Sequence, residues 1–207
     1  MPHPLGPPYY ITTTRLVLRC WEPADAPALS ALVERNLDFV RRRPGRQDEP
    51  RPLEDRVVEM RQRRAAFDVD DQWSYAVRTA DEGALVGIVT LFRVPPNRVD
   101  IGFAGWCGAE YAGCGYEAEA GAALARAAFE LLDVPRLYAA CPPDDAAAAA
   151  LFRALGFAHD GVERRLDDGV RRDELLWSLL PDEWEAGAPA AAAADARAFG
   201  VLGDRLF

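Results

Sequence analysis

Residues 100–119 read DIGFAGWCGAEYAGCGYEAE, and the fold is decided there. Apolar Ile101, Phe103 and Cys107 interleave with small residues as in a β-strand. Gly113 and Gly115 flank Cys114 in a turn, and the alanine-rich run from Tyr116 to Leu132 has helical periodicity. A strand that feeds a glycine turn at the start of a helix gathers backbone N–H groups and the positive end of the helix dipole at one point. Such a point suits an anion, most often a phosphate. An ordinary strand-to-helix turn uses glycine too, for its tolerance of positive φ, so two glycines alone do not separate these readings.

The flanking chain supplies strands and helices to build around that corner. Met1 to Tyr10 holds four prolines and reads as an irregular lead-in. Thr12 to Trp21 alternates as a strand, and Asp25 is placed to N-cap a helix carrying Leu29, Leu32 and Val33. Phe39 to Pro52 reads as a polar loop, and Leu53 to Phe67 as a helix with Leu53, Val57 and Met60 on one side. Trp73–Arg78 and Ala84–Phe92 form a strand pair joined at Asp81-Glu82-Gly83, and Pro95-Pro96-Asn97 turns the chain into the strand at Val99.

After the alanine-rich helix come a short strand, Arg136–Cys141, and an N-cap in Pro142-Pro143-Asp144-Asp145 for the helix Ala146–Leu155. A last hairpin, Val162–Leu166 with Val170–Leu180, folds around Asp167-Asp168-Gly169. This order predicts an α/β (α+β) domain over residues 1–185, with a mixed, mostly antiparallel sheet covered by helices on both faces. Residues 186–207 read as an alanine-rich linker and a tail, with Phe199–Phe207 either docked or free to contact a partner.

The chain of 207 residues is long enough for one well-filled core. Half its residues are apolar but none form a run near 18, so a soluble, cytoplasmic protein is expected, with no membrane span or secretory signal. Cys20, Cys107, Cys114 and Cys141 show neither zinc-ligand spacing nor a disulfide framework, so no metal is expected. All 24 cationic side chains are arginines, and the net charge of −9 argues against general nucleic-acid affinity. Charge is nevertheless uneven: ten arginines fall between Arg35 and Arg64, either as a solvated face with i,i+4 pairs such as Glu59 with Arg63, or as a lip for an anionic ligand.

Four ordered stretches resemble the GNAT N-acetyltransferase superfamily, in the branch of the ribosomal-protein-alanine N-acetyltransferases. Asp100–Phe103 and Trp106–Ala120 resemble that branch's donor-binding motif, E-I-G-Y-W-I-x-P-E-Y-W-G-x-G-Y-A-x-E-A, with Ala104-Gly105 inserted. Thr14–Arg19 with Trp21–Ala26 resembles its opening strand and helix. Leu155-Gly156-Phe157 resembles its L-G-F turn, and Arg172–Leu180 with Glu183-Trp184 its closing strand.

The resemblance implies a sheet with two neighbouring strands splayed into a V, which donor and amine acceptor enter from opposite sides. It implies an N-acyltransferase that forms an amide with acetyl-CoA or another acyl-CoA as co-substrate. Amides near Trp106 and Cys107 would hold the pantetheine arm and polarise the carbonyl, and those from Gly113 through Cys114 and Gly115 to Tyr116 the pyrophosphate. Ala112 opens the phosphate loop where the wider superfamily has Arg or Gln, and Asp145 replaces an Asn of the pantetheine channel. Asp100 sits where the family's strand often carries Glu and is the expected base; by alternation it shares a face with Gly102, Ala104 and Trp106. Pairing with Arg98 or Arg93 is its structural alternative.

The sequence also departs from the family. Glu117 stands where Gly or Ala lets the phosphate approach, Ala148 replaces a Ser, and Phe152 the frequent Tyr acid. This degenerate loop leaves two alternatives beside an acyl-CoA enzyme. One is an amide-forming transferase that takes its acyl group from an aminoacyl-tRNA held by the Arg35–Arg64 stretch; the other is a GNAT-like module without chemistry. An acyl-cysteine at Cys107, Cys114 or Cys141 is disfavoured, since no neighbour in sequence would lower a thiol pKa. The acceptor is a primary amine of a peptide or small molecule, and the closing strands could support a homodimer.

Overall fold

The computed structural model describes residues 6–41, 50–81, 83–94, 101–167 and 170–207. Its strands are β1 (Tyr10–Thr12), β2 (Leu16–Cys20), β3 (Gln72–Thr79), β4 (Leu85–Arg93), β5 (Ile101–Cys107), β6 (Leu137–Cys141), β7 (Ala158–Asp167), β8 (Val170–Leu179) and β9 (Arg197–Phe199). They make one sheet in the order β7-β8-β6-β5-β4-β3-β2-β1-β9. Each pairing is antiparallel apart from β5 with β6, so the sheet is mixed and mostly antiparallel as expected.

Helices α1 (Ala26–Arg35), α2 (Leu37–Arg41) and α3 (Leu53–Asp68) precede β3. Helices α4 (Tyr116–Glu130) and α5 (Ala146–Ala154) flank β6, and α6 (Pro181–Ala186) and α7 (Ala188–Ala192) follow β8. The core has two parts. Alanines of α4, with Leu124, Phe152 and Leu155, pack on Phe103, Leu137, Ala139 and Trp177, while Leu29, Leu32, Val33 and Met60 of α1 and α3 pack on Ala76, Ile88 and Trp106. Short alanine side chains let α4 approach the sheet closely, and β3 and β4, covered on both faces, read as nearly unbroken apolar runs.

The pairing of β4 with β5 runs without a slip from Gly87↔Cys107 to Arg93↔Ile101. The inserted Ala104-Gly105 therefore lies inside a straight strand. Two residues are one pleat, so the insertion leaves the facing unchanged: Phe103 joins the α4 side of the core and Trp106 the α1 side.

Four expectations need correction. Thr12–Trp21 is not one strand, because residues 13–15 turn the chain and pair β1 with β2, drawing Tyr10 out of the supposed lead-in. Asp25 occupies the N-cap of α1 but makes no cap bond; its carboxylate instead accepts from the Glu22 N–H (2.9 Å), Arg19 (2.7 Å) and Arg78 (2.7 Å). Burial alone would raise the Asp25 pKa, yet these donors outweigh it and hold the group below its usual value. Phe39–Pro52 is not all loop, since α2 reaches Arg41. The closing hairpin starts at Ala158, four residues early, with a bulge between His159 and Gly161.

Residues 186–207 are ordered against the rest of the chain. β9 extends the sheet beside β1. One guanidinium nitrogen of Arg126 reaches the carbonyls of Ala193 (3.1 Å), Ala194 (3.0 Å) and Ala196 (3.1 Å), and the Phe207 ring lies 4.0 Å from that guanidinium. No helix among the described residues is long and apolar enough to cross a membrane.

Candidate active site

The V lies between β5 and β6. Among the described residues these parallel strands pair only at Ile101↔Leu137 and Gly102↔Tyr138. Beyond that pair β5 continues to Cys107 and β6 to Cys141 with no further rung between them, which opens a slot in mid-sheet. Strand alternation shows which amides line it: the Gly108 N–H enters the ladder with β4 by donating to Val86 O (2.9 Å), so the Cys107 N–H points the opposite way, into the V.

At the far end of β5 the chain turns through Ala109–Tyr111 into the glycine loop. Gly113 (φ 78°) and Gly115 (φ 77°) both adopt the left-handed conformation, and Gly115 is the N-cap of α4. Nothing lies within 4 Å of where a Gly113 side chain would begin, so the loop backbone faces open space. Within the loop the Cys114 N–H is bound to Tyr111 O (3.1 Å) and the Ala112 N–H to Ala109 O (3.1 Å).

Residues far away in sequence hold this corner. Asn36, 4% exposed at the end of α1, accepts from the Ala109 N–H (2.7 Å) and donates to Leu32 O (2.9 Å) and Glu110 (3.0 Å), while Arg35 also bonds Glu110 (3.2 Å). Burial would raise the Glu110 pKa, but the bond from its own backbone N–H, followed by those from Asn36 and Arg35, lowers it on balance. On the other flank Arg15 donates to Cys114 O (2.8 Å) and to both sides of Glu119, by Nε (2.6 Å) and by its own backbone N–H (3.0 Å), and its guanidinium lies 5.0 Å from the Tyr116 ring centre. Thr13 donates to the same carboxylate (2.5 Å).

Glu117 takes the other direction. Two residues apart on a helix are about 200° apart around its axis, so Glu117 and Glu119 leave α4 on opposite flanks. Glu117 reaches into the V, where Oε1 accepts the Cys107 N–H at 3.0 Å. A cavity of about 390 Å³ lies on the Glu119 flank, away from the V, between Arg15, Gly115, Ala118, Ala122 and the tail at Asp195.

Of the residues singled out in the sequence, Trp106 and Cys107 end β5, and Ala112, Gly113, Cys114, Gly115 and Tyr116 follow in the loop and at the start of α4. Asp145 stands at the start of α5 with its carboxylate accepting the Ala148 N–H (2.9 Å), which makes it the N-cap of that helix. Asp100, Arg98, Arg42, Arg43 and Arg46 lie outside the described residues, as does the side chain of Arg41. Cys107 and Cys141 are buried and Cys114 is exposed; burial raises the Cys141 thiol pKa, against a thiolate there.

Sequence reasoning missed Arg15, Asn36 and Tyr138. Nothing local marks Arg15 or Asn36, whose partners are 99 and 73 residues away. Tyr138 was legible in part: Leu137, Ala139 and Cys141 alternate into the α4 side of the core, so Tyr138 belongs on the other face, beside the last rung of the V. Next to it on β8, Ser178 donates to Asp160 (3.0 Å).

Comparison with known proteins agrees with this geometry. RimJ from Mycobacterium smegmatis, solved in complex with CoA-disulfide, is 20% identical with a TM-score of 0.78, over 92% of this chain and 98% of that one. The ribosomal-protein-S5-alanine acetyltransferase from Vibrio fischeri is 19% identical with a TM-score of 0.71, over 84% and 98%. The microcin C7 self-immunity acetyltransferase MccE, in complex with acetyl-CoA and AMP, is 17% identical with a TM-score of 0.68, over 81% and 93%. These likenesses show the fold. A family model for the acetyltransferase (GNAT) domain matches residues 15–158, and the chain therefore belongs to the GNAT acetyltransferases, enzymes of acyl transfer to an amine.

Proposed function

We propose that the protein transfers an acetyl group from acetyl-CoA to the primary amine of a peptide N-terminus or a small molecule. The slot that β5 and β6 open beside the N-terminus of α4 carries this reading: it offers strand amides to a pantetheine arm and a helix start to a diphosphate. Solved relatives of this fold hold CoA-disulfide or acetyl-CoA. The amine nitrogen attacks the thioester carbonyl, the C–N bond forms as the C–S bond breaks, the amine loses a proton and the thiolate takes one. Asp100, the residue that precedes β5 in the sequence, is the base we assign.

Tyr138 is the acceptor-side residue we assign, because it stands at the apex of the V on the face away from α4. Tyr138→Phe removes one hydroxyl hydrogen bond, so kcat/KM for the amine is expected to fall about fivefold to tenfold. The KM for acetyl-CoA should not move; a change confined to that KM would contradict the assignment.

The first test is titration calorimetry with acetyl-CoA, followed by turnover with a panel of peptide and small amines. Micromolar binding with CoA release is expected, and its absence would end this reading. A tRNA donor has less support than the sequence suggests. Arg51 (3.2 Å), Arg56 (2.6 Å) and Arg63 (2.9 Å) all converge on Glu59, and Arg64 pairs with Glu22 and Asp68. Those arginines serve α3 and its neighbours. A homodimer through the closing strands would use β7, the outer strand of the sheet, and sedimentation velocity decides it.

A further inference from the structure

We propose that Glu117 gates the donor slot: any donor that takes the Cys107 amide must first expel the Glu117 carboxylate. This rests on the acyl-CoA reading above and adds a residue that sets donor affinity and selectivity. Three observations carry it.

The Cys107 N–H points into the V, on the edge where β5 has parted from β6, and Glu117 holds it at 3.0 Å. A charge-assisted bond of this kind is about twice as strong as a neutral one, so an incoming amide carbonyl exchanges it at a loss. Glu117 also sits in the first turn of α4, where the helix field favours an anion. The carboxylate thus already fills the electrostatic role that a diphosphate would play there. Finally, the neighbouring carboxylates have guanidinium partners, Glu119 in Arg15 and Glu110 in Arg35, whereas Glu117 has no guanidinium partner among the described residues. Its charge is therefore felt by any anion at Gly113–Gly115, only a turn away.

Removing the side chain should therefore tighten donor binding, unlike most substitutions at a binding site. The experiment is calorimetric titration of the wild-type chain, Glu117→Ala and Glu117→Gln, each with acetyl-CoA and with S-acetylpantetheine, which is neutral and lacks the nucleotide. Glu117→Ala should bind acetyl-CoA about tenfold more tightly and S-acetylpantetheine more tightly by a smaller factor. Glu117→Gln keeps an oxygen on the Cys107 amide but in a weaker, neutral bond. It should gain affinity for acetyl-CoA, and for S-acetylpantetheine by less than Glu117→Ala does, and the part of the gain peculiar to acetyl-CoA should shrink with added salt.

Equal affinity across the three chains for both donors overturns the gate and leaves the acetyl-CoA reading standing. Weaker binding by Glu117→Ala also overturns the gate, because Glu117 would then assist the donor. Binding by neither donor to any chain overturns the gate and the acetyl-CoA reading together.

Discussion

Asp25→Ala is expected to lower the unfolding midpoint by roughly 10 °C at neutral pH. The carboxylate is 3% exposed and joins three donors from separate places: the Glu22 N–H just before α1, Arg19 on β2 and Arg78 on β3. Truncation leaves two guanidiniums facing each other at the edge of the core with no counter-charge. Breaking a buried pair from one side costs about 3–5 kcal/mol, and each kcal/mol moves the midpoint of a chain this long by about 2–4 °C. Because the folded-state pKa of Asp25 is lowered, its contribution is present above the unfolded-state value of about 3.9 and is lost as pH falls through the folded-state value. The gap between wild type and variant should thus be full at pH 7 and narrow only below about pH 4. Calorimetry of both chains at pH 7 and pH 3 measures it, and a difference under about 2 °C at pH 7 would show that the guanidiniums find other partners.

Asp25 also illustrates how far the sequence could be read. Its place before an apolar helix is a local signal and was legible; its two arginine partners come from strands whose register no local pattern fixes. The same division runs through the fold. The strand-turn-helix corner at residues 101–130 was readable because each part has its own signature: alternation, glycines that need positive φ, and a helical apolar stripe. β1 and β9 were not, because three-residue strands carry too little periodicity and are fixed only by their partners. In the site, the glycine turn with its positive φ angles was legible, and Glu117 stood out as a departure from the family's motif. The direction of Glu117 was not, because it follows from the phase of α4 relative to β5, which tertiary packing sets.

Arg15→Ala is expected to weaken acetyl-CoA binding about 30-fold while leaving the unfolding midpoint within about 2 °C of wild type. Arg15 is half-exposed, and an exposed ion pair contributes little to global stability, typically about 0.2–1 kcal/mol. Its local role is larger. By binding Cys114 O, both oxygens of Glu119 and the face of Tyr116, it fixes the carbonyl side of the glycine loop, and on the proposed acetyl-CoA reading this would keep the loop ready for the donor. Without it the loop must be ordered by the donor itself, and the cost appears in affinity. Lysine cannot substitute, because one ammonium does not reproduce a fork spanning Cys114 and Glu119. Arg15→Lys should recover less than a third of the loss on a logarithmic scale, about threefold. Glu119→Ala should weaken binding in the same direction, and the double variant should be no worse than Arg15→Ala, since both act through one brace. S-acetylpantetheine, which does not reach the loop, should bind the wild type and all four variants alike. An equal loss for both donors would place Arg15 in the support of β5 and the V and not in the support of the phosphate loop.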